Sequence, residues 1–283
     1  MTHIAFLGTG LLGGALAEAA AKRGGDSIVV WNRTIDKARA LEQFGVRVAS
    51  TPADAVRGAS RVHLILKDDA VVEEVIDALR PALDAAAIII DHTTTQPALT
   101  AARATRLERE GVRYLHCPVF IGPPAARAGK GTIMASGSRA LFDEVREPLS
   151  KMAERLEYLG ERPELASVFK ICGNAYIIGT SGVVADMLAV GASGGVPALD
   201  VLRVLQFIDP VAIATLRGKK MAARDTTATF ELFMARKDVR LMLETAADRP
   251  LAVLPGIAAR MDALIAEGHG QDDLAIIGKE SVR

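Results

Sequence analysis

The chain has 283 residues, enough to bury a large core in one or two domains. Its 34 Lys and Arg balance 34 Asp and Glu, which excludes the basic field that nucleic acid or an anionic membrane surface would select. Half the residues are hydrophobic, 4% are aromatic, and Cys117 and Cys172 are too few for a disulfide framework or a metal cluster, so no metal and a reducing, cytoplasmic setting are expected.

Residues 3–7 form a short apolar strand, with no signal peptide expected before it. Gly8, Gly10 and Gly13 follow as G-x-G-x-x-G, with Leu11 and Leu12 inside the motif, and lead into an alanine-rich helix over 12–23. The first glycine permits a tight turn, the second admits a pyrophosphate close to the backbone, and the third lets helix and strand pack. The N–H groups of the helix start face the phosphates. Residues 27–31 are the second strand. Where a site specific for NAD would place a carboxylate on the ribose hydroxyl, this chain has Asn32-Arg33-Thr34, with Lys37 one turn on. A guanidinium and a hydroxyl hold a 2′-phosphate that a carboxylate would repel, so the expected cofactor is NADP(H).

Strands follow at 46–49, 61–66, 87–90 and 113–117, with helices starting near Thr51-Pro52, over 71–79 and over 98–110. In an open parallel sheet, ligands lie beyond the carboxyl ends of the strands. The 66–69 turn, with Leu66 and Lys67, and the 91–95 turn, with Thr94, are therefore placed on the nicotinamide side; the threonines there also suit capping of the next helix. After Pro118-Val119 comes a loop with Phe120, Ile121, Gly122, Pro123 and Pro124. Strands at 132–136 and 156–159 flank a helix near 139–154. Strand-helix alternation over residues 1–162 predicts an α/β Rossmann-type doubly wound sheet.

Residues 163–194 read as one long interdomain helix, from Pro163 to the glycines Gly194 and Gly195 before Pro197. It is apolar almost all round and is expected to be buried on most sides. Ser167, Lys170, Asn174 and Ser181 make a polar stripe within a sector of roughly 60°. A buried ammonium needs a partner or a wet cavity, so Lys170 either pairs or lines a site. Beyond it, residues 195–283 read as an all-helical domain whose apolar excess suggests contact with a second subunit. No apolar run reaches the ~18 residues of a membrane span without a polar or charged interruption.

Gly8-Thr9-Gly10-Leu11-Leu12-Gly13, Asp91-His92-Thr93-Thr94, Pro118-Val119, Lys170 with Asn174, Lys237-Asp238 and Gly268-His269-Gly270-Gln271-Asp272-Asp273 occur in one order along the chain. In this the chain resembles the β-hydroxyacid dehydrogenase family, which includes 3-hydroxyisobutyrate dehydrogenase and glyoxylate or succinic semialdehyde reductases, over nearly its whole length. The resemblance implies a dinucleotide domain, an interdomain helix and a helical domain, usually assembled as a homodimer or homotetramer. It implies that Lys170 is general acid and base at the substrate oxygen and that Asn174 orients substrate and lysine. It also implies that Thr94 lies beside the nicotinamide and that Lys237 reaches back to close the site on cofactor and substrate. The family usually follows Pro-Val with a Ser-Gly-Gly type turn for a substrate carboxylate. Here Phe120, Ile121 and Gly122 precede two prolines, which adds bulk and removes backbone donors. The expected reaction is hydride transfer between a hydroxy compound, by the resemblance a hydroxyacid, and its aldehyde or ketone. The loop points to a larger or less polar substrate, with any carboxylate held mainly by lysines. A related alternative is an imine reductase, which shares the N-terminal and Asn-Arg-Thr features but usually carries Asp or Tyr at the helix position. A nucleotide-binding scaffold without turnover is the third reading.

Overall fold

The computed structural model describes residues 3–282; positions 1, 2 and 283, at the outer ends of the expected first and last domains, lie outside the described residues. The chain divides into two compact units, Met1–Asn174 and Ala175–Arg283, with the division inside the long helix.

In the first unit β1 (His3–Leu7), β2 (Ser27–Trp31), β3 (Arg47–Val48), β4 (Ala59–Leu64), β5 (Ile88–Asp91) and β6 (Arg113–His116) form one parallel sheet in the order β3-β2-β1-β4-β5-β6. Between them run α1 (Leu11–Arg23), α2 (Ile35–Arg39), α3 (Pro52–Val56), α4 (Asp69–Leu79) and α5 (Pro97–Arg109). Both faces of such a sheet are covered, so its strands read as continuous apolar runs such as Ile88-Ile89-Ile90. Alternate side chains enter two cores: Phe6, Val30 and Ile90 pack with α1, and Ala5, Val29 and Ile89 pack with α3 and α4. Short polar side chains start two of these helices. Thr51 caps α3 by accepting from Asp54 N at 3.0 Å, and Asp68 caps α4 by accepting from Val71 N at 3.1 Å.

The strands expected at 132–136 and 156–159 do not extend this sheet. As β8 (Thr132–Ala135) and β9 (Arg155–Tyr158) they join β7 (Val119–Phe120) in a separate three-stranded sheet, β7-β8-β9, with α6 (Pro123–Arg127) and α7 (Arg139–Ser150) beside it. Pro118 has no N–H to continue the ladder of β6. The segment expected as a loop after it instead turns back as β7, antiparallel to β8. Pro123 and Pro124 then occupy the opening positions of α6, where a missing N–H costs nothing.

The long helix is α8 (Leu165–Ser193), beginning two residues after Pro163. It is not buried on most sides: only 6% of its most apolar stretch is buried, with Phe169 53% and Ile178 71% exposed. Its all-round apolar pattern demands cover that this chain's own atoms do not supply. It is also long and apolar enough to cross a membrane, contrary to the expectation from interrupted runs, as the core helix of a soluble protein can be too.

The second unit adds α9 (Ala198–Val201), α10 (Pro210–Ala223), α11 (Leu232–Ala246) and α12 (Leu254–Ala266), with short 3₁₀ turns at Leu202–Gln206 and Leu274–Gly278. Its small core joins Leu232, Val239, Met261, Leu264 and Ile276. Buried carboxylates organise it. Asp186 on α8 accepts from the N–H groups of Ala252, Val253 and Leu254 at 2.6–2.9 Å, which satisfies the start of α12. Asp273 is fully buried and accepts from Thr229 N and Oγ1, Phe230 N, Ala275 N and Arg217. The glycine-histidine-aspartate segment near the C-terminus thus serves the fold of this unit.

Candidate active site

The glycine turn is built by close approach. Gly8 has φ +97°, and a Cβ there would lie 2.1 Å from the Ile65 carbonyl oxygen; one on Gly13 would lie 1.9 Å from the Gly8 oxygen. Gly10 is the opposite case, with nothing within 4 Å of its Cβ position and no side chain capping α1. The bare helix start therefore opens onto free space, which fits a dinucleotide phosphate. The turn is tied to the end of β2 twice: Gly8 N donates to Trp31 O at 2.9 Å, and Thr9 N donates to Asn32 Oδ1 at 3.0 Å.

Gly8, Gly10, Leu12, Gly13, Asn32, Arg33, Thr34, Lys37, Leu66 and Lys67 all line one cleft of about 370 Å³ at the carboxyl ends of β1, β2 and β4. The expected cofactor residues Leu11, which is 86% exposed, and Thr94 are not in its lining. Asn32 lines the cleft, but its amide is already committed, accepting from Thr9 N and donating to Thr34 O at 2.9 Å. Sequence reading missed Trp31, Ile65 and the face of α4 formed by Val71, Glu74 and Val75, although their helical spacing was available. Arg33, Lys37 and Lys67 give the cleft three cations against the Glu74 carboxylate, a balance that suits a polyanion.

The 91–96 turn is held from several sides. Asp91 accepts from Thr93 N at 2.9 Å and from Tyr114 Oη at 2.8 Å, and Leu66 N donates to Thr93 Oγ1 at 3.0 Å, which joins this turn to the 66–69 turn. Fully buried Arg103 bonds Asp69 and Glu73, each at 2.7 Å, and Asp69 accepts from Gln96 N at 2.8 Å.

Behind the turn, His92 Nδ1 lies 2.7 Å from the Cys117 carbonyl, which can only accept, so the proton sits on Nδ1. His92 Nε2 then accepts from His63 Nδ1 at 2.9 Å. Burial lowers the His92 pKa to about 4 and that of His63 well below its ordinary value. An unfolded histidine titrates near ~6.5. The stability these neutral rings carry is therefore complete above pH ~6.5 and is lost as pH falls toward about 4, by roughly 3 kcal/mol for His92. The urea midpoint should fall between pH 7 and pH 5, above the range where carboxylates titrate. A constant midpoint would contradict this arrangement.

Lys170 and Asn174 lie one turn apart on α8, and Lys170 Nζ donates to Asn174 Oδ1 at 2.9 Å. The ammonium sits 4.1 Å from the centroid of the Phe120 ring, a cation–π contact. Among the described residues of the first unit, no carboxylate forms an ion pair with it; Asn174 is its polar side-chain partner. The group is half-buried, and desolvation lowers its pKa below the ordinary lysine range. Gly173 makes the seat for the ring, since a Cβ there would lie 2.2 Å from Phe120 Cζ. Behind the loop, a Cβ on Gly131 would lie 2.8 Å from the Phe120 oxygen and from Ile121 Cγ1, so Gly131 lets β7 and β8 close. Ile121 packs against the core, and Gly122 precedes α6 as its N-cap. Lys237 belongs to the second unit, on α11, where it is exposed and pairs with Asp238 at 2.8 Å.

Residues 3–160 match the model of the NAD-binding domain of 6-phosphogluconate dehydrogenase. A Shewanella frigidimarina protein named an uncharacterized oxidoreductase is 30% identical over 94% of this chain and 92% of its own. A probable mitochondrial 3-hydroxyisobutyrate dehydrogenase of Dictyostelium discoideum is 25% identical over 97% and 89%. An imine reductase from Myxococcus stipitatus, solved in complex with NADP+, has a TM-score of 0.88 at 22% identity, covering 98% of this chain and 99% of that one, which is a likeness of fold. The chain belongs to the family defined by the NAD-binding domain of 6-phosphogluconate dehydrogenase, and within it is an NAD(P)-dependent oxidoreductase.

Proposed function

We propose that the protein is an NADP(H)-dependent reductase of a carbonyl compound, working in reverse on the corresponding hydroxy compound. The observation that carries this reading is the half-buried Lys170 ammonium, held by Asn174 and the Phe120 ring, with no carboxylate paired to it among the described residues of its unit. A bound reduced nicotinamide supplies hydride to the carbonyl carbon. Lys170 Nζ then delivers a proton to the oxygen, and in the reverse direction the neutral amine takes it from the hydroxyl. Asn174 Oδ1 aims the ammonium. Arg33, Thr34 and Lys37 supply a guanidinium, a hydroxyl and an ammonium where a 2′-phosphate would lie, and the end of β2 carries no carboxylate, which supports NADP over NAD.

Phe120 and Ile121 stand where small residues would hold a substrate carboxylate, so the substrate class is a ketone or aldehyde with a sizeable apolar group. Imine reduction is the second reading, supported by the likeness of fold to the Myxococcus stipitatus imine reductase. The test is NADPH oxidation with glyoxylate, bulky aldehydes and ketones, and cyclic imines. Faster turnover of bulky carbonyls supports the proposal, faster turnover of imines supports the second reading, and glyoxylate turned over as well as any bulky carbonyl sinks the substrate class.

We also propose a homodimer in which a second copy covers the exposed apolar side chains of the second unit, among them Tyr176, Ile177, Ile178 and Phe207. The uncharged run between Lys170 and Asp186 falls short of the ~20 residues a bilayer core needs, so this face suits protein better than lipid. Light scattering on the purified chain reads the mass directly.

A further inference from the structure

We infer that Ser167 is a positioning residue of this site: its hydroxyl sets how far the Lys170 ammonium stands from the turn that follows β5. This rests on the reading of Lys170 given above. Ser167 is 1% exposed, and its Oγ donates to the Thr95 carbonyl. A serine inside a helix ordinarily bonds the carbonyl one turn back, as Ser181 does to Ile177 at 3.0 Å. Ser167 instead reaches across 72 residues of sequence. It lies one turn before Lys170 on the same side of α8. Alanine would suit the helix better, so helix propensity does not account for a serine there.

The carbonyl it holds is not on a loose loop. Thr95 lies between Thr93, whose hydroxyl is bonded to Leu66 N, and Gln96, whose N–H is bonded to Asp69. Its own hydroxyl is shared with Thr100 at 2.7 Å. Arg103 fixes Asp69 in turn. In this stretch the side chain of Thr94 stays exposed. The start of α8 has a second anchor, Ser136, whose Oγ accepts from Ala166 N at 2.9 Å and donates to the Pro163 carbonyl at 2.8 Å. Ser136 follows β8 in the three-stranded sheet. The Ser167 bond ties the lysine-bearing turn to the sheet whose strand ends form the dinucleotide cleft.

Displacing a catalytic group by ~1 Å can cost up to ~100-fold in rate. In the full-length protein, Ser167→Ala should lower kcat for the best carbonyl substrate about 10- to 100-fold and leave KM for NADPH within about twofold. Ser167→Thr, which keeps the hydroxyl, should restore most of the rate. A purely structural serine would lower Tm without this split and without rescue. A second readout needs no substrate: methylate the lysines with a ¹³C label, assign Lys170 by its loss in Lys170→Arg, and titrate it with NADP+ and with NADPH bound. The positive ring of the oxidised form should lower the midpoint in the wild type, and the difference should shrink in Ser167→Ala. Unchanged kcat and an unchanged difference in Ser167→Ala overturn the clamp and leave Lys170 standing; no difference in the wild type overturns both.

Discussion

Lys170→Ala should reduce carbonyl turnover by about 10²- to 10⁴-fold while KM for NADPH stays within about twofold. The alkoxide left after hydride delivery needs a proton at once, and in the proposed mechanism the Lys170 ammonium, bonded to Asn174, gives it. Binding and proximity remain in the variant, so activity should not vanish. The wild-type pH profile carries the sign of the lysine's role. Reduction needs the protonated form, so its rate falls as pH rises through a pKa that burial has moved below the usual lysine value. Oxidation needs the neutral amine and should gain over the same interval. If Lys170→Ala kept the wild-type rate and pH dependence, the proton donor would have to be sought elsewhere.

Arg33→Ala should weaken NADPH by about 10- to 30-fold and NADH by less than about twofold, read as dissociation constants from nucleotide fluorescence. A hydrogen bond to a charged group is worth roughly 1.5–3 kcal/mol, and the open position of Arg33 argues for the lower half of that range. The penalty should shrink at high salt, because an exposed ion pair is screened within ~10 Å at 0.1 M. Equal losses for both nucleotides would remove Arg33 from cofactor choice and leave the glycine turn as the shared determinant.

Local signals carried much of this site. The glycine spacing, the polar end of β2 and the stripe of Ser167, Lys170 and Asn174 are properties of neighbours in sequence, and the structure brings the first two into one cleft. What escaped notice depends on residues far apart. Nothing local says that Ser167 will bond Thr95, that Gly173 exists to seat the Phe120 ring, or that the strands after residue 118 start a separate sheet. The burial of α8 was misjudged for a related reason: an apolar pattern states that cover is needed and does not say which molecule provides it.

Asn32 joins two functions that redesign would want to separate. One amide spans the glycine turn and the segment proposed to discriminate between nucleotides, accepting from Thr9 and donating to Thr34. Exchanging Arg33, Thr34 and Lys37 to change nucleotide preference therefore leaves the scaffold intact. An acidic replacement at position 32 keeps the acceptor, loses the donor, and sets Thr34 adrift from the glycine turn, so an engineered acid belongs one residue further along.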